Sequence, residues 1–98
     1  MTLKVPYSTG YRAECEAKQM LEEKGYYVMA SRGSHGLFDL VAFDSSEFRL
    51  IQVKVVPFGK VNKFSKEQIE VKRFACPANA YKEFWVYEKR RGWHYFLC

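Results

Sequence analysis

Ninety-eight residues with 48% hydrophobic and 17% aromatic content suffice for one domain spanning 1–98 with its own core, and argue against a disordered chain. No run approaches the roughly 18 apolar residues of a membrane helix, and MTLKVPYSTGYRAE lacks the apolar stretch of a signal peptide, so no membrane partner is expected. The net charge is +5, unevenly spread: residues 1–53 carry six Lys/Arg against seven Asp/Glu, and residues 54–98 carry ten against four. A basic half suits a polyanion, of which nucleic acid is the usual one, or else serves only to solubilise. Cys15, Cys76 and Cys98 are odd in number and widely spaced, without a CxxC. This disfavours a disulfide framework or zinc site and fits a reducing cytoplasmic setting.

In chain order, Ser8 or Thr9 can cap a first helix over 9–24 that Gly25 ends, with Ala13, Ala17, Met20 and Leu21 as its apolar stripe. GYYVMAS predicts a first strand, about 26–31. SRGSHG is a glycine loop. LFDLVAFD predicts a second strand, and DSSE turns the chain into a third, about 48–56, as an antiparallel hairpin. VPFGKVNKF is a basic loop. Ser65 with Gln68 three residues on resembles a capping box. The helix that follows runs to about Cys76, buried through Val71, Phe74 and Ala75, and Pro77 stops it. EFWVYEK and GWHYFLC are two last strands around Arg90-Arg91-Gly92. The order α-β-β-β-α-β-β predicts an α/β (α+β) fold, a mixed central sheet flanked by helices.

The third strand holds an anomaly. LIQVKVV is aliphatic and β-branched, yet Gln52 and Lys54 sit inside it, two apart and so on one face. A buried ammonium needs a partner. Asp39 interrupts LFDLVAF and, across a short hairpin, falls near the level of Gln52 and within reach of Lys54. At about 100° per residue, Glu14 lies beside Leu21 on the flank of the first helix's stripe, the helix acid best placed over the sheet. Two carboxylates and an amide oxygen make a hard site for Mg²⁺ or Mn²⁺. A cation there polarises a phosphodiester, and an adjacent lysine stabilises charge growing on it. The alternative is a structural Asp39–Lys54 ion pair, with Gln52 bonding nearby backbone.

GYRAECEAKQMLEEKGYYV, SRGSHGLFDLVAF, IQVKV, SKEQIEVKRFA and GWHYF, in that order over nearly the whole chain, resemble the PD-(D/E)XK nucleases, and more narrowly the archaeal-type Holliday junction resolvases. The resemblance implies a restriction-endonuclease-like fold and a Mg²⁺-dependent DNA endonuclease that acts on four-way junctions as a homodimer. It implies Glu14 and Asp39 as metal carboxylates and Lys54 as the catalytic lysine. Ser31 is implied near the scissile phosphate, and Val53 as a backbone carbonyl ligand. Gln52 stands where a glutamate is usual; its amide oxygen coordinates Mg²⁺ without adding charge. A nuclease acting on flaps, single strands or duplex, and a junction-binding module without catalysis, remain the rival readings. For DNA contacts the candidates are Arg12, Arg32, His35, Lys60, Lys63 and Lys66. Trp85, Tyr87, Trp93 and Tyr95 are read as core or interface residues, and His94 as a packing residue.

Overall fold

The computed structural model describes residues 9–31, 37–61 and 65–98. Helix α1 (Thr9–Glu23) leads into strands β1 (Tyr27–Ala30), β2 (Leu40–Phe43) and β3 (Phe48–Val56); helix α2 (Ser65–Arg73), β4 (Ala80–Glu88) and β5 (Gly92–Leu97) follow. The strands form one sheet in the order β1-β2-β3-β4-β5. Neighbours are antiparallel except for β3 and β4, which run parallel from Phe48↔Ala80 to Val56↔Glu88. A parallel pair needs a long crossover, and the segment containing α2 supplies it.

Each face has its own core. Ala13, Ala17 and Leu21 of α1 pack with Val28, Leu40, Ala42, Ile51, Val53 and Trp85. The stripe expected for α1 is therefore the buried one. Two of its members are alanines, so the helix lies close to the sheet. On the other face, Val71 of α2 packs with Val56, Phe84 and Val86. Alternation puts Gln52 and Lys54 on this second face with Val56.

Three boundaries differ from the sequence reading. The second helix ends at Arg73, so Phe74 and Ala75 are exposed and Val71 alone of the three expected residues is core. The final turn tightens through Phe74 N–H donating to the Val71 carbonyl at 3.2 Å. The Lys82 ammonium then donates to the carbonyls of Lys72 and Phe74 at 2.6 and 2.7 Å, closing the end before Pro77 is reached. Strand β2 starts at Leu40, after Asp39, and β4 starts at Ala80, three residues early. The expected β2–β3 hairpin is present. Its turn is held by Asp44 Oδ1, which accepts from the N–H groups of Ser46 (2.9 Å) and Glu47 (3.0 Å). No helix among the described residues is long and apolar enough to cross a membrane. Cys15, Cys76 and Cys98 are free thiols.

Candidate active site

The β2–β3 ladder opens at the pair Leu40↔Ile51. One residue earlier, Asp39 still donates its N–H to the Ile51 carbonyl (2.9 Å) and accepts from Ser31 N–H (2.9 Å). Its side chain then replaces the next ladder bond: Asp39 Oδ2 accepts the Val53 N–H at 2.8 Å. A carboxylate is thus set against the backbone of β3 where β2 no longer pairs with it. In extended backbone the C=O of a residue leaves on the same edge as its N–H. The Val53 carbonyl therefore belongs to the Asp39 side of the strand.

Burial holds the Asp39 carboxyl above the ordinary range, opposed by the Val53 N–H and the Lys54 charge. Burial also raises Glu14, the charge of Asp39 raises it further, and Lys54 opposes both. Glu14, Asp39 and Lys54 therefore share one electrostatic field. Their meeting point differs from the sequence picture. Glu14 comes from the α1 face while Gln52 and Lys54 belong to the α2 face, so the four groups do not share one face of the sheet as the sequence reading expected.

Gln52 is 8% exposed, and its Oε1 has no hydrogen-bond partner among the described residues. In register it sits beside Phe84, with Phe96 on the strand beyond. An unsatisfied amide oxygen in such surroundings costs about 1–3 kcal/mol. A cation satisfies such an oxygen, and the Glu14 and Asp39 carboxylates and the Val53 carbonyl complete an all-oxygen set that fits Mg²⁺ or Mn²⁺. No three His, Cys, Asp or Glu side chains gather as metal ligands among the described residues.

The fold resembles that of a solved structure. Hjc of Archaeoglobus fulgidus, a Holliday junction resolvase from an archaeal hyperthermophile, matches with a TM-score of 0.67 over 92% of this chain and 73% of that one, at 21% identity. The chain has the Hjc fold. No family model matches the sequence. Within this Hjc-like frame, the mixed sheet with its helices is the α+β architecture expected from the element order.

The remaining predicted residues scatter around the site. Ser31 is exposed at the end of β1, tied to Asp39 through its backbone. Arg12 is exposed on the first turns of α1, Lys60 just after β3, and Lys66 at the start of α2. Arg32, His35 and Lys63 lie outside the described residues. Trp85 is core, and the Trp93 and Tyr95 rings stand edge-on to it at 5.7 and 4.7 Å. Tyr95 itself is half exposed.

Two polar clusters escaped the sequence reading. Arg49 makes a bidentate pair with Glu83 (2.7 and 2.8 Å), and Trp85 Nε1 donates to the same carboxylate at 2.8 Å. The second cluster corrects the role read for His94. Its Nε2 lies 2.7 Å from Oε1 of Glu88, a carboxylate only 2% exposed, so it is a hydrogen-bonding group as well as a packing one. The available signal was two glutamates at alternate-facing positions inside an aromatic strand, each needing a partner.

Proposed function

We propose that the chain is a divalent-metal-dependent, structure-selective DNA endonuclease that resolves four-way junctions, acting as a homodimer. This reading is supported by the mutual electrostatic influence of Glu14, Asp39 and Lys54, and by a buried Gln52 oxygen without a partner among the described residues, two positions from Lys54 on β3. A bound Mg²⁺, for which Mn²⁺ can substitute, supplies charge neutralisation at a phosphodiester and a more acidic water. Glu14 and Asp39 hold the cation by charge; Gln52 Oε1 and the Val53 carbonyl add neutral oxygens. Lys54 places an ammonium next to the charge that grows on the phosphate. Ser31, tethered to Asp39, offers a hydroxyl to the scissile phosphate. Arg12, Arg32, His35, Lys60, Lys63 and Lys66 supply salt-sensitive backbone affinity. The two strands of a four-way junction are related by near two-fold symmetry, which a C2 pair of sites matches.

Nicking of a synthetic four-way junction in Mg²⁺, with linear duplex and flap DNA as competitors, tests this. Preferential, symmetric nicking is expected. Equal cutting of duplex would transfer the site to another nuclease substrate, and full activity of Lys54→Ala would remove the mechanism.

A second reading is favoured by Gln52 itself. With two carboxylates instead of three, the site has less charge to hold a cation, which suits a junction-binding module without catalysis. Junction DNA left intact after long incubation in Mn²⁺, with binding that weakens in salt, would establish it.

A further inference from the structure

Of the cations proposed above to contact DNA, Lys60 lies just past the end of the strand that bears Gln52 and Lys54. Three further cations from another part of the chain join it there. Strand β3 leaves the site at Lys54, and two residues later, at Val56, gives way to the turn that carries Phe58, Gly59 and Lys60. The tip of the β4–β5 hairpin, Lys89-Arg90-Arg91, arrives at the same end of the sheet, because Val56 pairs with Glu88 and Glu88 with Gly92. Lys60, Lys89, Arg90 and Arg91 are all exposed.

Two segments about 30 residues apart in sequence are stapled here. Lys89 N–H donates to the Val56 carbonyl at 3.1 Å. Buried Glu88 accepts the Gly59 N–H on Oε2 at 2.7 Å, meets His94 Nε2 through Oε1 at 2.7 Å, and lies 3.8 Å from Arg91 Nε. The Arg91 guanidinium sits 5.0 Å over the exposed Phe58 ring, joining the two segments again on the outside. Charge-assisted bonds to a buried carboxylate are short and directional, so this rim is set in place before any ligand arrives.

The backbone carries a further sign. Arg90 has φ 76°, in the left-handed region that Gly or Asn enters more readily. Strain of this kind at a rigidly held turn points to function. What Arg90 contributes there is a cation at the outermost point of the hairpin. The only carboxylate in the two segments is Glu88, and it faces inward.

We infer that Lys60, Lys89, Arg90 and Arg91 form a second contact surface for the phosphate backbone of a duplex arm, positioned by Glu88 just beyond the end of the strand that bears Gln52 and Lys54. This rests on the nuclease reading, since a duplex whose scissile phosphate lies at Asp39 and Lys54 would continue over this rim. Glu88 acts through the two segments it joins and is a positioning residue; the four cations touch the ligand.

The experiment compares wild type, Lys89→Ala/Arg90→Asn and Asp39→Asn for binding to a fluorescent four-way junction across a salt series in Ca²⁺, and for nicking in Mg²⁺. Asparagine tolerates the left-handed backbone, so the double variant keeps the turn. Its log–log salt slope should fall by about 1 for each phosphate it no longer neutralises, and its affinity severalfold. Asp39→Asn should keep the wild-type slope and lose nicking. A double variant with wild-type slope and affinity, while wild type binds and nicks, would overturn the rim and leave the nuclease reading standing. Wild type that neither binds nor nicks any DNA would overturn both. Glu88→Gln supplies the positioning readout: at a temperature where its circular dichroism matches wild type, it should reduce junction affinity while Asp39→Asn does not.

Discussion

Asp39 Oδ2 accepts the backbone N–H of Val53 at 2.8 Å, so β3 itself fixes the carboxylate that precedes β2. Fold and candidate site therefore meet at one bond. Asparagine at this position retains an oxygen able to accept that N–H and removes only the charge. Because burial raises the folded pKa of Asp39 above its unfolded value, the ionised form is disfavoured in the fold. Stability from this group is fully present below the unfolded pKa and is lost as pH rises through the folded one. Asp39→Asn should thus melt a few degrees higher than wild type at pH 7, and the difference should close in acid, below about pH 4. Nicking should fall by at least about 100-fold, or roughly 2.7 kcal/mol. Paired melting and nicking curves check both; a variant that melts lower and still nicks contradicts the assignment.

Gln52→Glu should trade apo stability for cation affinity. A third carboxylate in the proposed cation set with Glu14 and Asp39 adds like-charge repulsion and desolvation. Without divalent ions the variant should melt below wild type. Mg²⁺ titrated without DNA should raise its melting temperature more than that of wild type, with an apparent Kd lower by about tenfold, or roughly 1.4 kcal/mol. Thermal melts across a Mg²⁺ series measure this independently of cleavage, and parallel curves for the two proteins would argue against Gln52 as a ligand.

The Arg49–Glu83 pair tests a purely structural role. Its side chains are 21% and 9% exposed, and Trp85 Nε1 shares the same carboxylate. Arg49→Ala strands Glu83 among apolar neighbours and should cost about 3–5 kcal/mol by urea unfolding. Arg49→Met, which refills the space, should also destabilise because Glu83 stays unpaired. The double change Arg49→Met/Glu83→Gln should recover a large part of the loss. Junction affinity per folded molecule should stay unchanged in all three.

Glu88 has the opposite pH signature to Asp39. The Gly59 N–H first, then His94 and Arg91, hold its carboxyl below the usual range. Its stabilisation is therefore present above the unfolded glutamate pKa and is lost as pH falls through the depressed folded one. Wild type should lose stability in that acid window, and Glu88→Gln should flatten the acid limb while lowering stability at pH 7. Urea midpoints between pH 7 and pH 3 measure this; parallel curves would show that the carboxylate charge is not what the clamp uses.

Much of this arrangement was legible in the sequence. The alanine-leucine stripe of α1, the nine residues of β3 and the placement of Asp39 opposite Gln52 all follow from periodicity and a short turn. Face assignment at the site was harder. Alternation correctly put Gln52 and Lys54 on one face, but it does not say on which face α1 packs, and α1 with Glu14 lies on the other. Phe74 and Ala75 read as helix core because their spacing is helical. The Lys82 ammonium, arriving from β4, ends the helix earlier, and no local pattern encodes a cap from another strand. Glu83 and Glu88 drew no attention because their partners, Arg49 and Gly59, lie about 30 residues away.

The parallel seam between Phe48–Val56 and Ala80–Glu88 also orders events in time. The β1–β2–β3 meander and the β4–β5 hairpin each form from nearby residues, whereas their union must wait for a long excursion of chain to close. The acidic helix and the meander lie in a stretch whose charges nearly cancel, and the excess of cations follows it, from Lys54 to Arg91. Lys60 and the hairpin cations Lys89, Arg90 and Arg91 would therefore come side by side only late, through the slowest pairing in the molecule.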